Sequence, residues 1–198
     1  MANFAEKWPV KTISMDLTED CTCRCSYCFC GEKTHAVMEK DTAFRTIDWL
    51  LDEKTSGDEK EFQVDLWGGE PLMQWDLARE VISYGNRRAE SMGKRIKWNM
   101  TTNGVLFSER VAEDMLLSGT SFMLSLDGNK NSQDKSRPLA GGGSSYDVIM
   151  ANLPNMRKVN PNLRVRATIA EKDVGNMYSN FLHINKDLGI QQYSHCLA

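Results

Sequence analysis

Five of the six cysteines fall in one ten-residue run, Cys21-Thr22-Cys23-Arg24-Cys25-Ser26-Tyr27-Cys28-Phe29-Cys30, and only Cys196 lies apart. Crowding of this kind suits metal or redox chemistry better than a framework of structural disulfides. Within the run, Cys21, Cys25 and Cys28 give the spacing C-x3-C-x2-C. Three thiolates on a short loop can wrap one face of an iron–sulfur cube, which is normally held by four. One iron is then left open for a substrate or cofactor, as a three-ligand zinc site keeps a position for chemistry. Cys23 and Cys30 stay outside the set, either as small apolar residues of the loop or as thiols on the substrate side. The rival is a zinc site joining Cys25, Cys28 and Cys196 with His35 or His195. Zinc modules usually show two separated ligand pairs, and the second pair here is poor.

Such a loop needs a scaffold, and the chain is long enough to build one. Its 198 residues predict one domain, 1–198, with an ordinary core that buries roughly 70% of the unfolded surface. The composition, 41% hydrophobic and 26% charged, is globular, and 24 Lys plus Arg against 27 Asp plus Glu leave a net charge of −3. That balance argues against nucleic acid as a partner. No apolar run approaches the length of a membrane span, and Met1 to Trp8 lack the pattern of a signal peptide, so the expected compartment is the cytoplasm.

Strand-like and helix-like segments alternate along the chain. Strands are expected at Val10–Leu17, Phe62–Trp67, Ile96–Thr101, Phe122–Leu126, Leu163–Ile169 and Ile190–Cys196. Helices are expected at Asp41–Leu51 with Asp41 as cap, Asp76–Met92, Ser108–Leu117 with Val111, Met115 and Leu116 inward, Tyr146–Val159 kinked or ended by Pro154, and Val174–Leu188. The polar, glycine-rich stretch Asp127–Ser145 reads as a long mobile loop. Repeated β-then-α units imply an α/β fold with a parallel sheet, either doubly wound or an incomplete barrel. In such folds ligands gather on the loops that follow the strands.

The unusual residues fall on those loops. After the second strand comes Trp67-Gly68-Gly69-Glu70-Pro71, after the third Thr101-Thr102-Asn103-Gly104, after the fourth Ser125-Leu126-Asp127-Gly128, and then Asp134-Lys135-Ser136-Arg137-Pro138. Together with the CxxxCxxC run and the aromatic Tyr27 before its third cysteine, these segments resemble the radical S-adenosylmethionine (SAM) superfamily. The likeness is greatest to the anaerobic sulfatase-maturing and related SPASM-type peptide-modifying enzymes. It implies a partial (β/α)6 TIM-like barrel of parallel strands, open at one edge. It also implies a [4Fe–4S] cluster on Cys21, Cys25 and Cys28 and a SAM site made by Tyr27, Gly68, Gly69, Glu70, Ser125, Arg137 and Leu197. Tyr27 and Leu197 would face the adenine, Ser125 the ribose, Arg137 the carboxylate or neighbouring hydroxyls, and the Gly68-Gly69-Glu70 loop the amino group.

The implied reaction is reductive cleavage of SAM to methionine and a 5′-deoxyadenosyl radical, used on a peptide or protein side chain for oxidation or crosslinking, with flavodoxin or ferredoxin as reductant. A module that keeps the fold and binds SAM or metal without turnover is the reading from another class. Two residues depart from the subgroup's pattern, Gln133 where histidine is usual and Trp67 where some members have glutamine. The cysteine-rich C-terminal domain of that branch is not found after Ala198, so the open barrel edge is expected to be covered by a further domain or a partner chain. Asp127 could merely cap its loop, His183 reads as structural, and His195 is expected at a strand end facing the site.

Overall fold

The computed structural model describes residues 8–31 and 33–198; the N-terminal stretch read for a leader lies outside them. Six strands form one sheet in chain order: β1 (Thr12–Asp16), β2 (Glu61–Trp67), β3 (Arg95–Thr102), β4 (Ser121–Ser125), β5 (Arg164–Ile169) and β6 (Gln192–Leu197). Every neighbouring pair is parallel, and β1 and β6 are edges rather than partners. This is an α/β partial barrel that does not close. The crossovers carry α1 (Lys40–Leu51), α2 (Glu53–Ser56), α3 (Trp75–Ser91), α4 (Glu109–Ser118), α5 (Lys130–Ser136), α6 (Ser145–Val159) and α7 (Met177–Leu182). None of the described helices is long and apolar enough to cross a membrane.

Alternation along the strands separates the two faces of the sheet. Met15, Phe62, Val64, Leu66, Ile96, Trp98, Met100, Phe122, Leu124, Val165 and Ala167 are all buried among the helices. The alternate residues, among them Asp65, Trp67, Asn99, Thr101, Ser125, Arg164, Arg166, Thr168 and Cys196, line the cavities on the other side. The core is thus the layer between sheet and helices, and the opposite face is left to ligands.

Several expectations are corrected. The stretch after Asp127 is not all loop: Asn129 accepts from Ser132 N at 3.1 Å and starts α5. Its buried residues are Ser132, Gln133 and Ser136, so it carries no apolar stripe by which to recognise it. Helix α6 passes through Pro154 to Val159 because the proline ring lies on the exposed side, where bending away from the missing hydrogen bond meets no packing. The residue before α1 is Glu39, and Asp41 lies inside the first turn. On α4 the inward residues are Val111, Ala112 and Met115, while Leu116 is 53% exposed, one helical step off that face. The expected last helix is instead a 3₁₀ turn over Glu171–Asn176, then α7, then a π turn over His183–Asp187.

Candidate active site

The loop after β1 carries the cysteine run, and backbone pairing holds it on two sides. Leu17 N donates to Trp67 O at 3.1 Å, Gly69 N to Thr18 O at 2.7 Å and Glu70 N to Asp20 O at 2.8 Å, so the β1–β2 ladder continues beyond the strands. On the other side, Arg24 N donates to Pro138 O, Ser26 N to Ser136 O and Ala140 N to Thr22 O, all within 3.0 Å. The glycine pair has a specific task in this. A Cβ at Gly68 would stand 2.4 Å from Thr18 O, and one at Gly69 2.0 Å from Asp20 O. The close backbone approach that the glycines allow is therefore first of all to the cysteine loop itself.

All six cysteines are free thiols. Cys21, Cys25 and Cys28 open onto one cavity of about 470 Å³, which Tyr27, Gly68, Gly69, Glu70, Ser125, Arg137 and Leu197 also line. The expected residues are brought there from the segments after β1 and β2, from the end of β4 and the segment after it, and from the end of β6. Burial raises the Cys21 pKa and pushes Cys25 up to about 11, against the pull of Arg137 on the latter. At Cys28, burial is outweighed by Lys33, whose ammonium lies 3.2 Å from Sγ and holds the thiol below its ordinary range.

Glu70 is 1% exposed. Oε1 accepts from Leu72 N at 3.1 Å and Thr102 Oγ1 at 2.7 Å, and Oε2 from Asn103 N at 2.7 Å. Burial nevertheless pushes its pKa up to about 7. Three donors fill three of a carboxylate's roughly four acceptor positions and leave one for a ligand. Asn103 ties the same corner to the cysteines, donating through Nδ2 to Thr22 Oγ1 at 2.9 Å and to Cys21 Sγ at 3.6 Å.

Asp127 proves to be more than a loop cap. It is 7% exposed, accepts from the Tyr27 hydroxyl and from Thr168 N at 2.9 Å, and lies 3.1 Å from Arg137 Nε. The Arg137 contact is a charge pair without hydrogen-bond alignment. Burial disfavours the guanidinium charge, but Asp127 and Tyr27 outweigh it and raise the Arg137 pKa. Arg137 also donates to Thr168 Oγ1 at 3.3 Å and stands 5.3 Å from the Tyr27 ring centre, within cation–π range. The Asp127 backbone N–H donates to Gln133 Oε1 at 2.9 Å, and Gln133 Nε2 is buried without a partner.

Register decides which β6 residues face the cavity. Cys196 is opposite Thr168 and lies 3.5 Å from its hydroxyl, with Arg166 beside it; burial is outweighed by these donors and the Cys196 thiol is held below its ordinary range. Leu197 sits at the mouth, 76% exposed. His195 is opposite Ala167 and outside the cavity lining, so the expectation that it faces the site is overturned by strand alternation. His35 is bound to Asp20 at 2.7 Å, and among the described residues no three Cys, His, Asp or Glu side chains converge as a single zinc ion requires. His183 is structural as expected, between Tyr146 and Asp187. Sequence reasoning passed over Arg166 and Thr168 and weighed Cys196 only as a ligand of the rival zinc site; their place at odd steps of adjacent parallel strands was the available signal.

The radical SAM superfamily model matches residues 15–169. The chain belongs to this superfamily. Radical SAM enzymes use a [4Fe–4S] cluster and SAM, and this site fits both, with three free thiols on one loop and a cavity of the size ligand sites usually have. Among similar proteins is the cysteine-type anaerobic sulfatase-maturating enzyme of Clostridium novyi (strain NT), 27% identical over 95% of this chain and 52% of its own length. Among solved structures, anSMEcpe with bound AdoMet superposes with a TM-score of 0.83 at 16% identity, covering 96% of this chain and 51% of that one. SuiB of Streptococcus suis bound to precursor peptide SuiA gives 0.69 at 15%, covering 96% and 39%. These likenesses show the same fold. The chain spans about half or less of the length of the curated relatives it matches.

Proposed function

We propose that this chain is a radical SAM core that cleaves SAM reductively and modifies a peptide or protein side chain by oxidation or crosslinking. The observation that carries the reading is the convergence of Cys21, Cys25 and Cys28 with Glu70, Ser125 and Arg137 on one cavity. Cys21, Cys25 and Cys28 would hold the cluster and give up their protons on doing so. Bound and reduced there, the cluster would supply the one electron that reductive cleavage of SAM needs.

The protein's own part is positioning. Glu70 would accept from the SAM amino group with its remaining lone pair, while Leu72, Thr102 and Asn103 keep the carboxylate from turning. Ser125 has no side-chain hydrogen bond among the described residues, which leaves its hydroxyl for the ribose. Arg137, fixed by Asp127 and Thr168, presents its remaining amino group to the carboxylate or hydroxyls, and Tyr27 is locked by Asp127 as one wall. A flavodoxin or ferredoxin would donate the electron in the cytoplasm, where thiols stay reduced.

Anaerobically reconstituted protein is expected to hold about four irons per chain and to form 5′-deoxyadenosine from SAM with dithionite. Cys25→Ala is expected to lose both. Cleavage retained by Cys25→Ala refutes the assignment, and SAM binding without turnover in the unaltered protein identifies a non-catalytic module instead.

A further inference from the structure

A second chamber, of about 310 Å³, lies deeper on the ligand face of the sheet, between Gln63, Asp65 and Asn99 on one side and Met123 and Arg164 on the other. Trp67 and Thr101 line both this chamber and the SAM cavity, so the two are neighbours that share a wall. In a closed barrel this interior is packed with bulky branched side chains. Here it is polar, and its charges are arranged unevenly. Asp65 accepts from Gln63 Nε2 at 3.0 Å and from Asn99 Nδ2 at 3.1 Å, so neutral donors on its own wall occupy it.

Arg164, on the facing strand β5, makes no ion pair or side-chain hydrogen bond among the described residues. Arg166 stands two residues along the same face, about 7 Å away by strand geometry, at the edge of the SAM cavity. Arg164 is itself solvent-exposed, so its guanidinium stands at the open edge of this polar recess, where it is suited to bidentate capture of a carboxylate. The Asp65 charge repels such a group from β2 and so favours the β5 wall.

We propose that this chamber binds a carboxylate of the peptide substrate on Arg164, presenting the neighbouring residue to the SAM cavity past Trp67 and Thr101. The proposal rests on the peptide-modifying reading above and names the chemistry of the substrate. The carboxylate has two possible sources, an Asp or Glu side chain or a free C-terminus.

The test passes two random octapeptide libraries, one amidated and one with free C-termini, over immobilised reconstituted protein holding SAM, and reads the bound peptides by mass spectrometry. Carboxylate-bearing peptides are expected to be enriched about tenfold over their neutral isosteres, the order a charge-assisted hydrogen bond supplies. Enrichment of Asp and Glu in the amidated library assigns a side chain; enrichment only in the other assigns a C-terminus. Overall attraction cannot imitate the result, because the chain's net charge of −3 repels acidic peptides. Arg164→Gln is expected to abolish the preference and Arg164→Lys to keep part of it. No carboxylate enrichment in either library, or the same enrichment with Arg164→Gln, overturns the proposal. The underlying reading fails separately, if the unaltered protein forms no 5′-deoxyadenosine with dithionite.

Discussion

Gly69→Ala would carry a methyl group into space already held by the backbone of the cysteine loop. The new Cβ would lie 2.0 Å from Asp20 O, 2.5 Å from Asp20 C and 2.7 Å from Glu19 O. No side-chain rotation relieves a clash with main-chain atoms, so the two loops must separate. Separation breaks the Gly69 N–Thr18 O and Glu70 N–Asp20 O hydrogen bonds, of 2.7 and 2.8 Å. Each bond is worth about 1 kcal/mol net, and overpacking strain adds about 1–3 kcal/mol. The total, about 4 kcal/mol, corresponds to a fall in Tm of roughly 10 °C for a chain of this size.

Calorimetric melts of the cluster-free protein measure that fall, and iron analysis after reconstitution reads the displacement of Cys21, Cys25 and Cys28. Gly141→Ala is the control, since a Cβ there meets nothing within 4 Å. It is expected to melt within about 2 °C of the unaltered protein, as surface changes do. Gly69→Ala melting in that same narrow range with full iron would refute the claim that close backbone packing places the cysteine loop.

The Asp127 hub predicts that Asp127→Asn costs about 3 kcal/mol, because it leaves the buried Arg137 charge without its partner. Tyr27→Phe, which removes a single hydrogen bond to the same carboxylate, is expected to cost about 1 kcal/mol; equal losses in urea denaturation would contradict the hub. Glu70 makes a pH-dependent prediction. Its folded pKa, about 7 against an ordinary 4.5, means that the folded state holds the proton more tightly. The stability this supplies is complete below pH 4.5 and is lost as pH rises through 7, roughly 3 kcal/mol in all. The stability difference between the unaltered protein and Glu70→Gln should therefore shrink or reverse by that amount between pH 4.5 and 8, and a flat difference would show that Glu70 is not buried as described.

The order of strands and helices could be read from the chain because alternation and helical period are local properties, and because each chemical motif follows its strand directly. The cysteine spacing, Gly68-Gly69-Glu70 and Ser125 were legible for the same reason. What depended on distant segments was not. Helix α5 has no apolar stripe and is buried through Ser132, Gln133 and Ser136. Asp127 acquires its role only when Tyr27, 100 residues away in the chain, and Thr168 arrive beside it. That Cys196 and not His195 looks into the cavity follows from the β5–β6 register, where a shift of one residue would exchange them. Residue types and spacing thus determined the superfamily and which side chains gather at the cavity, through short-range geometry. Which charges are spent on one another and which, like Arg164, find no protein partner among the described residues was decided by tertiary packing, because partnership among charges depends on distance in space.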